Sequence, residues 1–326
     1  MNVFITGATG FVGSFLVQSL LEKKYKVRCL VRKTSNLRWI ADLDVQCHYG
    51  SLNDKNSLSR GIAGCDYIYH VAGVTKAMSE QDYFYTNYEG TKNLFDCCLA
   101  AQDKIQRFVY VSSQTAVGPS PTIIPVDEKH PPNPVTYYGR SKLAAEEYIQ
   151  NTGANLPVTI IRPPAVYGPR DTDILEFFRT VKNGIIPKLG GKEHYLSLIH
   201  VKDLVRGIIM AAESKKAVGE TYFITSSKPY SWEEVSKITL KVLQKKGIKL
   251  PVPIWIMKGV ALISESIAYL LKKPALVNKQ KVIDMEQEFW TCSPNKANRD
   301  LGFEANINLE NGIRETLIWY KEHKWM

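Results

Sequence analysis

The sequence predicts an α/β architecture, a doubly wound parallel sheet followed by a smaller lobe. Short β-branched runs alternate with amphipathic helical stretches through the first half of the chain. Alternation of that kind builds a parallel sheet with helices on both faces. A glycine-rich turn, "TGATGFVG", joins the first run to the first helical stretch. Past about residue 170 the alternation gives way to helices, short strands and loops marked by Pro187, Pro229, Pro251, Pro253 and Pro274.

The runs "NVFIT", "KVRCLV", "DVQCHY", "DYIYHVA", "RFVYVSS" and "PVTIIRP" read as buried strands bounded by Gly, Asp or Pro. Between them, "FVGSFLVQSLLEKK" and "EGTKNLFDCCLAAQ" repeat apolar residues at three- and four-residue spacing, the mark of amphipathic helices. The expected division is 1–170 for the sheet domain and 171–326 mainly for a second lobe, with some of its segments free to return to the sheet. Ligands of such sheets bind beyond the carboxyl ends of the strands, so the second lobe is expected to cover the cleft and select a small-molecule substrate.

Composition is that of an ordinary globular protein, with 44% hydrophobic and 23% charged residues in 326. The six cysteines are scattered, with no metal-ligand spacing, so no metal is expected. His70, His194 and His200 lack a carboxylate partner pattern and read as structural. The formal charge of +10 is diffuse, with no basic run interleaved with aromatics, which argues against nucleic acid. No signal-peptide pattern opens the sequence, and a cytoplasmic location is the expectation. The apolar stretch "PVPIWIMKGVALISESIAYLLKKP" is interrupted by Lys258, Ser264 and Glu265, so a buried or partner-facing helix is expected rather than an integral membrane segment. Peripheral attachment to a membrane stays open.

In "TGATGFVG", Gly7, Gly10 and Gly13 stand three residues apart between a strand and a helix. Glycines there permit a tight turn and close approach of backbone to a pyrophosphate, which points to Rossmann-type dinucleotide binding. The spacing resembles the TGxxGxxG loop of the extended short-chain dehydrogenase/reductase superfamily, the group that includes NAD-dependent epimerases and dehydratases. The resemblance continues through "HVAG", "VSS", the Tyr-x-x-x-Lys of "YYGRSK", "RPPAVYGP", "IHVKD", "KANRDLGF" and "ETLIWY". It is nearest in pattern to reductases like dihydroflavonol reductase and 3β-hydroxysteroid dehydrogenase.

That resemblance implies a cofactor groove lined by Gly7, Gly10, Phe11, Val12, Gly13, Ser51, Leu52, Val71, Ala72, Gly73, Asn87, Tyr138, Lys142, Pro163 and Val166. Ser51 replaces an Asp common in the family. About twenty residues after the glycines, an NAD site ordinarily places an acid on the ribose. Val31 occupies that position, followed by Arg32 and Lys33, a cationic pair that suits a 2′-phosphate. NADP(H) is therefore the preferred cofactor, with NAD(H) the second choice.

Tyr138 and Lys142 are four apart on an expected helix and share one face, while Tyr137 points elsewhere. An ammonium beside a tyrosine stabilises its phenolate and moves it toward useful acid/base range. By resemblance, Ser113 steadies the substrate oxygen, and Lys142 also holds the nicotinamide ribose.

Gln114 and Thr115 stand where a dehydratase carries an acid pair, which argues against dehydration. Nucleotide-sugar epimerases carry Arg before the "IHV" strand, whereas this chain has Leu196. The favoured reading is an NADP(H)-dependent oxidoreductase acting on a secondary alcohol or ketone. A nucleotide-sugar epimerase and a non-catalytic dinucleotide sensor are the alternatives, and the resemblance carries an expectation of homodimers.

Overall fold

The computed structural model describes residues 1–326 except 154, 272–274, 276 and 277. Pro274, read above as a loop marker, lies outside the described residues. The chain opens with β1 (Asn2–Thr6), α1 (Phe11–Glu22), β2 (Lys26–Val31), β3 (Val45–Tyr49), α2 (Lys55–Ile62) and β4 (Tyr67–His70). Next come α3 (Glu80–Tyr83), α4 (Gly90–Ala100), β5 (Arg107–Val111), α5 (Tyr137–Thr152), β6 (Val158–Arg162) and β7 (Ala165–Tyr167). A π-helical turn, Phe84–Glu89, joins α3 to α4.

The second half contains α6 (Leu175–Lys182), β8 (Ile185–Leu189), β9 (Tyr195–Leu196), β10 (Leu198–His200), α7 (Val201–Glu213) and β11 (Glu220–Phe223). It continues with β12 (Tyr230–Ser231), α8 (Trp232–Leu243), β13 (Ile248–Val252), α9 (Ile254–Leu271) and α10 (Lys279–Glu286). β14 (Phe289–Trp290), α11 (Asn295–Leu301) and α12 (Leu309–Glu322) complete it.

Seven strands form one parallel sheet in the order β11-β6-β5-β4-β1-β2-β3. The order reverses between β1 and β4, the switch point at which doubly wound sheets open a crevice. The central strands are apolar on both faces because helices cover both. Val3 and Ile5 of β1 enter one buried cluster with α1 and α7, and Phe4 enters the other with α2, α4 and α5. Val109 and Val111 of β5 alternate with Phe108 and Tyr110 in the same way, the two-residue period of a strand.

The expected strands fall within one or two residues of the observed ones. Past residue 170, α7, β11, Ala297 of α11 and Phe303 pack on the sheet. A separate core unites Tyr167, Leu175, Phe178, Leu196, Val235, Ile313 and Tyr320. This is the second lobe, built from segments on either side of β11.

One buried ion pair joins α5 to the sheet. Arg162 of β6 donates through Nε to both Glu146 oxygens at 3.1 Å and through Nη2 to Oε2 at 2.5 Å, and both side chains are buried. Arg162→Leu would strand the Glu146 charge and should lower unfolding free energy by about 3–5 kcal/mol. Urea denaturation checks this; a loss below about 1 kcal/mol, within the range of exposed pairs, would show that Glu146 reaches water.

Candidate functional site

The groove begins at the turn between β1 and α1. Gly7 has φ of +76°, and a β-carbon there would lie 2.7 Å from the Ala72 nitrogen. One on Gly13 would sit 2.0 Å from the Gly7 oxygen, so α1 starts closer to β1 than any side chain permits. Gly10 closes the turn by donating its N–H to the Gly7 carbonyl at 3.0 Å. Phe11 and Val12 open α1 behind it, leaving the helix N-terminus free of a side-chain cap. That cradle of uncapped N–H groups fits a pyrophosphate.

The ends of the neighbouring strands are fixed by a buried hydrogen-bond chain. Thr6 Oγ1 lies 2.6 Å from His70 Nδ1, His70 Nε2 lies 2.8 Å from Thr91 Oγ1, and Thr91 donates to the Asn87 carbonyl at 2.6 Å. Complete burial pushes the His70 pKa down to about 3, so the ring is neutral and reads as structural. Asn87 in turn clamps the loop after β4: its Oδ1 accepts the Val74 N–H at 2.8 Å and its Nδ2 donates to Ser141 at 3.0 Å. Val71, Ala72 and Gly73 form this loop, and a β-carbon on Gly73 would stand 3.8 Å from Lys142 Nζ. The loop and α5 therefore face each other across the groove.

Arg32 and Lys33 follow β2 directly, and both are exposed. The Arg32 N–H donates to Ser35 Oγ at 3.0 Å, while its guanidinium has no protein hydrogen bond among the described residues. Ser51 and Leu52 follow β3; the Ser51 carbonyl accepts the Asp54 N–H, and Leu52 packs at Gly90. Pro163 is buried, with its carbonyl accepting the Gln114 N–H at 2.8 Å, and Val166 lies in β7 paired with Ile199.

α5 begins at its Thr136 cap, whose hydroxyl accepts the Gly139 N–H at 3.1 Å. One turn in, Lys142 is 2% exposed. Its Nζ donates to the Val111 carbonyl at 2.8 Å and lies 4.3 Å from the Tyr110 ring centroid. Burial pulls the Lys142 pKa down to about 7, opposed by Glu146. Burial pushes the Tyr138 pKa up to about 12, and hydrogen bonding with Ser113 acts against it. Ser113 Oγ accepts the Thr115 N–H at 3.2 Å and the Thr115 hydroxyl at 2.9 Å, leaving its own hydrogen to give elsewhere. Tyr83 stacks obliquely on Tyr138 at 6.3 Å. Tyr137 instead gives its N–H to Gln280 Oε1 at 2.8 Å and lies under Arg140.

Thus Ser113, Tyr138 and Lys142 meet at the carboxyl end of β5, with Gly73 and Asn87 opposite. The Glu146–Arg162 pair escaped the sequence reading, although Glu146 lies four residues after Lys142 on the same face. Leu196 does not line this cleft in the manner of a ligand clamp; it is 4% exposed within the second-lobe core. His194 and His200 are held by protein groups, through the Gln287 and Leu189 carbonyls and the Lys202 N–H respectively. Among the described residues no cluster of His, Cys, Asp or Glu is arranged to hold a metal ion.

A glycine cradle at a parallel-sheet switch point, with Ser113, Tyr138 and Lys142 at one strand end, is the arrangement of a dinucleotide-dependent oxidoreductase class. The sequence pattern of the NAD dependent epimerase/dehydratase family matches residues 3–225, and the chain belongs to that family. It is an enzyme of the extended short-chain dehydrogenase/reductase type. It is 29% identical to 4-hydroxy-2-methyl-3-oxo-4-farnesyl-3,4-dihydroquinoline-1-oxide ketoreductase of Stigmatella aurantiaca, over 96% of this chain and 95% of that one. It is 28% identical to ceramide reductase of Caulobacter vibrioides, over 99% and 96% of the two chains. Its fold matches UDP-glucose 4-epimerase of Thermotoga maritima with a TM-score of 0.80, at 20% identity, over 99% and 100% of the chains.

A pH signature belongs to Lys142. Folding lowers its pKa below the unfolded value, so between about pH 7 and 10 the unfolded chain binds the extra proton and the Lys142 contribution to stability rises with pH. Lys142→Met removes that contribution. The unfolding free energy of the wild type minus that of the variant should climb as pH is raised from about 7 to 9.5, and a difference flat with pH would refute a desolvated lysine.

Proposed function

We propose that this enzyme is an NADP(H)-dependent reductase or dehydrogenase interconverting a ketone and a secondary alcohol, with Ser113, Tyr138 and Lys142 as its catalytic set. The observation that carries the reading is their convergence beside the glycine cradle. Gly7, Gly10 and Gly13 would hold the pyrophosphate, Arg32 and Lys33 the 2′-phosphate, and Lys142 the ribose next to the reacting ring. When bound, the cofactor supplies the hydride that adds to the carbonyl carbon.

Ser113, with both acceptor positions engaged by Thr115, donates its hydrogen to the substrate oxygen. Tyr138 gives its phenolic proton to that oxygen as the carbonyl becomes an alcohol, and takes it back in the oxidative direction. A tyrosine held near 12 gives up this proton reluctantly. A protonated Lys142, one helical turn along α5, together with the positive charge of the oxidised cofactor would favour the phenolate. Asn87 acts as a positioning residue, fixing the loop of Gly73 against α5 through Val74 and Ser141.

Leu196 supports a substrate without a diphosphate, because an apolar side chain packed in the core offers no charged clamp. The ketoreductase and ceramide reductase to which the chain is similar have names that specify a farnesyl-bearing ring and a ceramide. An apolar ketone or alcohol is the class we infer for this chain, and the cytoplasm is the location we propose.

Tyr138→Phe deletes only the hydroxyl, so turnover should fall by ~10²- to 10⁴-fold with nucleotide affinity kept. NADPH oxidation followed at the nicotinamide absorbance across a panel of apolar ketones tests this. A Tyr138→Phe enzyme at the wild-type rate would overturn Tyr138 as the proton donor.

Arg32→Ala should weaken NADPH binding by about ten- to a hundredfold while leaving NADH nearly unchanged, as expected for a charge-assisted phosphate contact. Fluorescence titration of both cofactors distinguishes the outcomes. Equal affinities in the wild type would overturn the NADP(H) preference.

A further inference from the structure

α9 is built inside out. On its side toward α10, Ala261 is buried and Ser264, Glu265 and Ala268 are half-buried. Its large apolar side chains face solvent instead: Trp255 is 74% exposed and Leu270 80%, with Leu262, Ile263, Tyr269 and Leu271 also exposed. A helix of a globular lobe turns its apolar stripe inward, and contiguous exposed apolar surface marks an interaction site.

The 18 residues of α9 have a mean hydropathy of 1.5 and are long and apolar enough to cross a membrane by length and composition. Their attachment is that of a helix lying flat. Before α9, β13 pairs with β8 of the second lobe. Along α9, Lys258 pairs with Glu286 of α10 at 2.8 Å, and Glu265 Oε1 accepts the Lys279 N–H at 2.8 Å. α10 reaches the start of α5 through Gln280 and Tyr137. The apolar face therefore rides one helix away from the cleft.

Net charge favours an anionic cover for this face. Residues 245–288 contain eight lysines and four acids; Lys249, Lys258, Lys279 and Lys281 pair with Glu233, Glu286, Glu265 and Asp284, and the segment keeps a net positive charge. Two copies joined through α9 by a twofold axis would bring these like charges together. An anionic surface takes the apolar side chains and the lysines at once.

We propose that α9 docks the enzyme on an anionic phospholipid bilayer, lying in the plane of the headgroup boundary with Trp255, Leu262, Ile263 and Leu270 immersed. Docking there opens the cleft toward apolar substrate dissolved in the bilayer; that consequence rests on the hydride-transfer reading, whereas the docking does not. The test is flotation of the full-length protein with phosphatidylcholine vesicles, with and without phosphatidylglycerol.

The wild type should float with the anionic vesicles and much less with neutral ones, and added salt should weaken the binding. Leu262→Glu combined with Leu270→Glu should reduce flotation by about tenfold or more. Circular dichroism and NADPH titration should match the wild type, since both positions are exposed. Absence of wild-type flotation, or flotation unchanged in the double variant, overturns the proposal. A wild-type dimer that the double variant converts to monomer, without flotation, would assign the face to a second copy. Turnover and its loss in Tyr138→Phe are read without vesicles, so failure here leaves the catalytic reading standing.

Discussion

Three ionisable side chains buried between α5 and the sheet hold the cleft in place. Taking the Glu146 and Arg162 charges out of water costs several kcal/mol per ion, which only close partners offset, while Lys142 gives up its charge near pH 7. Arg162 reaches both Glu146 oxygens, and Lys142 has the Val111 carbonyl and the Tyr110 ring. Because Lys142 and Glu146 are four apart, one face of α5 carries both. A rotation or a slide of that helix would strand a charge. Tyr138, one turn before Lys142, is thereby fixed above the end of β5, where Ser113 lies.

The opposite wall is rigid for a different reason. Between β1 and α1 there is no space for side chains: a β-carbon on Gly13 meets the Gly7 oxygen at 2.0 Å. The chain of Thr6, His70, Thr91 and Asn87 then locks the ends of β1 and β4 to α4 without a charge, since His70 is neutral. One wall is set by missing atoms and the other by buried ions. Asn87 joins them through Val74 and Ser141, so the width of the groove follows from the packing of the sheet.

What the sequence made legible was local or periodic. The central strands β1, β4, β5 and β6 stood out because both their faces are buried, the glycine loop because it is contiguous, and Tyr138 with Lys142 because the helical repeat puts them together. β11 was harder to see: Glu220–Phe223 is four residues with an acid at its start, and its place beside β6 is a long-range pairing. Glu146 read as one more acid on a solvated helix, since Arg162 lies 16 residues away on another element. In α9 the apolar stretch was plain, but the rule that turns an apolar stripe inward pointed the wrong way. Leu196 was noticed as a departure from an arginine pattern, yet its burial depends on Tyr167, Phe178 and Val235, which converge only in three dimensions.

Leu196 and α9 together separate the two tasks of the molecule. The proposed catalytic groups sit on the sheet and on α5, where displacement leaves a buried charge or a clashing atom. The second lobe is held by apolar packing, which tolerates change in shape more readily than a buried ion pair tolerates loss of a partner. An arginine at position 196 would need a counter-charge in that core, so a diphosphate clamp could not be added there by one substitution. The same lobe leaves Trp255, Ile263 and Leu270 outside, on α9. A lobe that presents apolar surface one helix from the cleft fits the apolar substrate proposed above, and α10 carries that surface to the first turn of the helix bearing Tyr138.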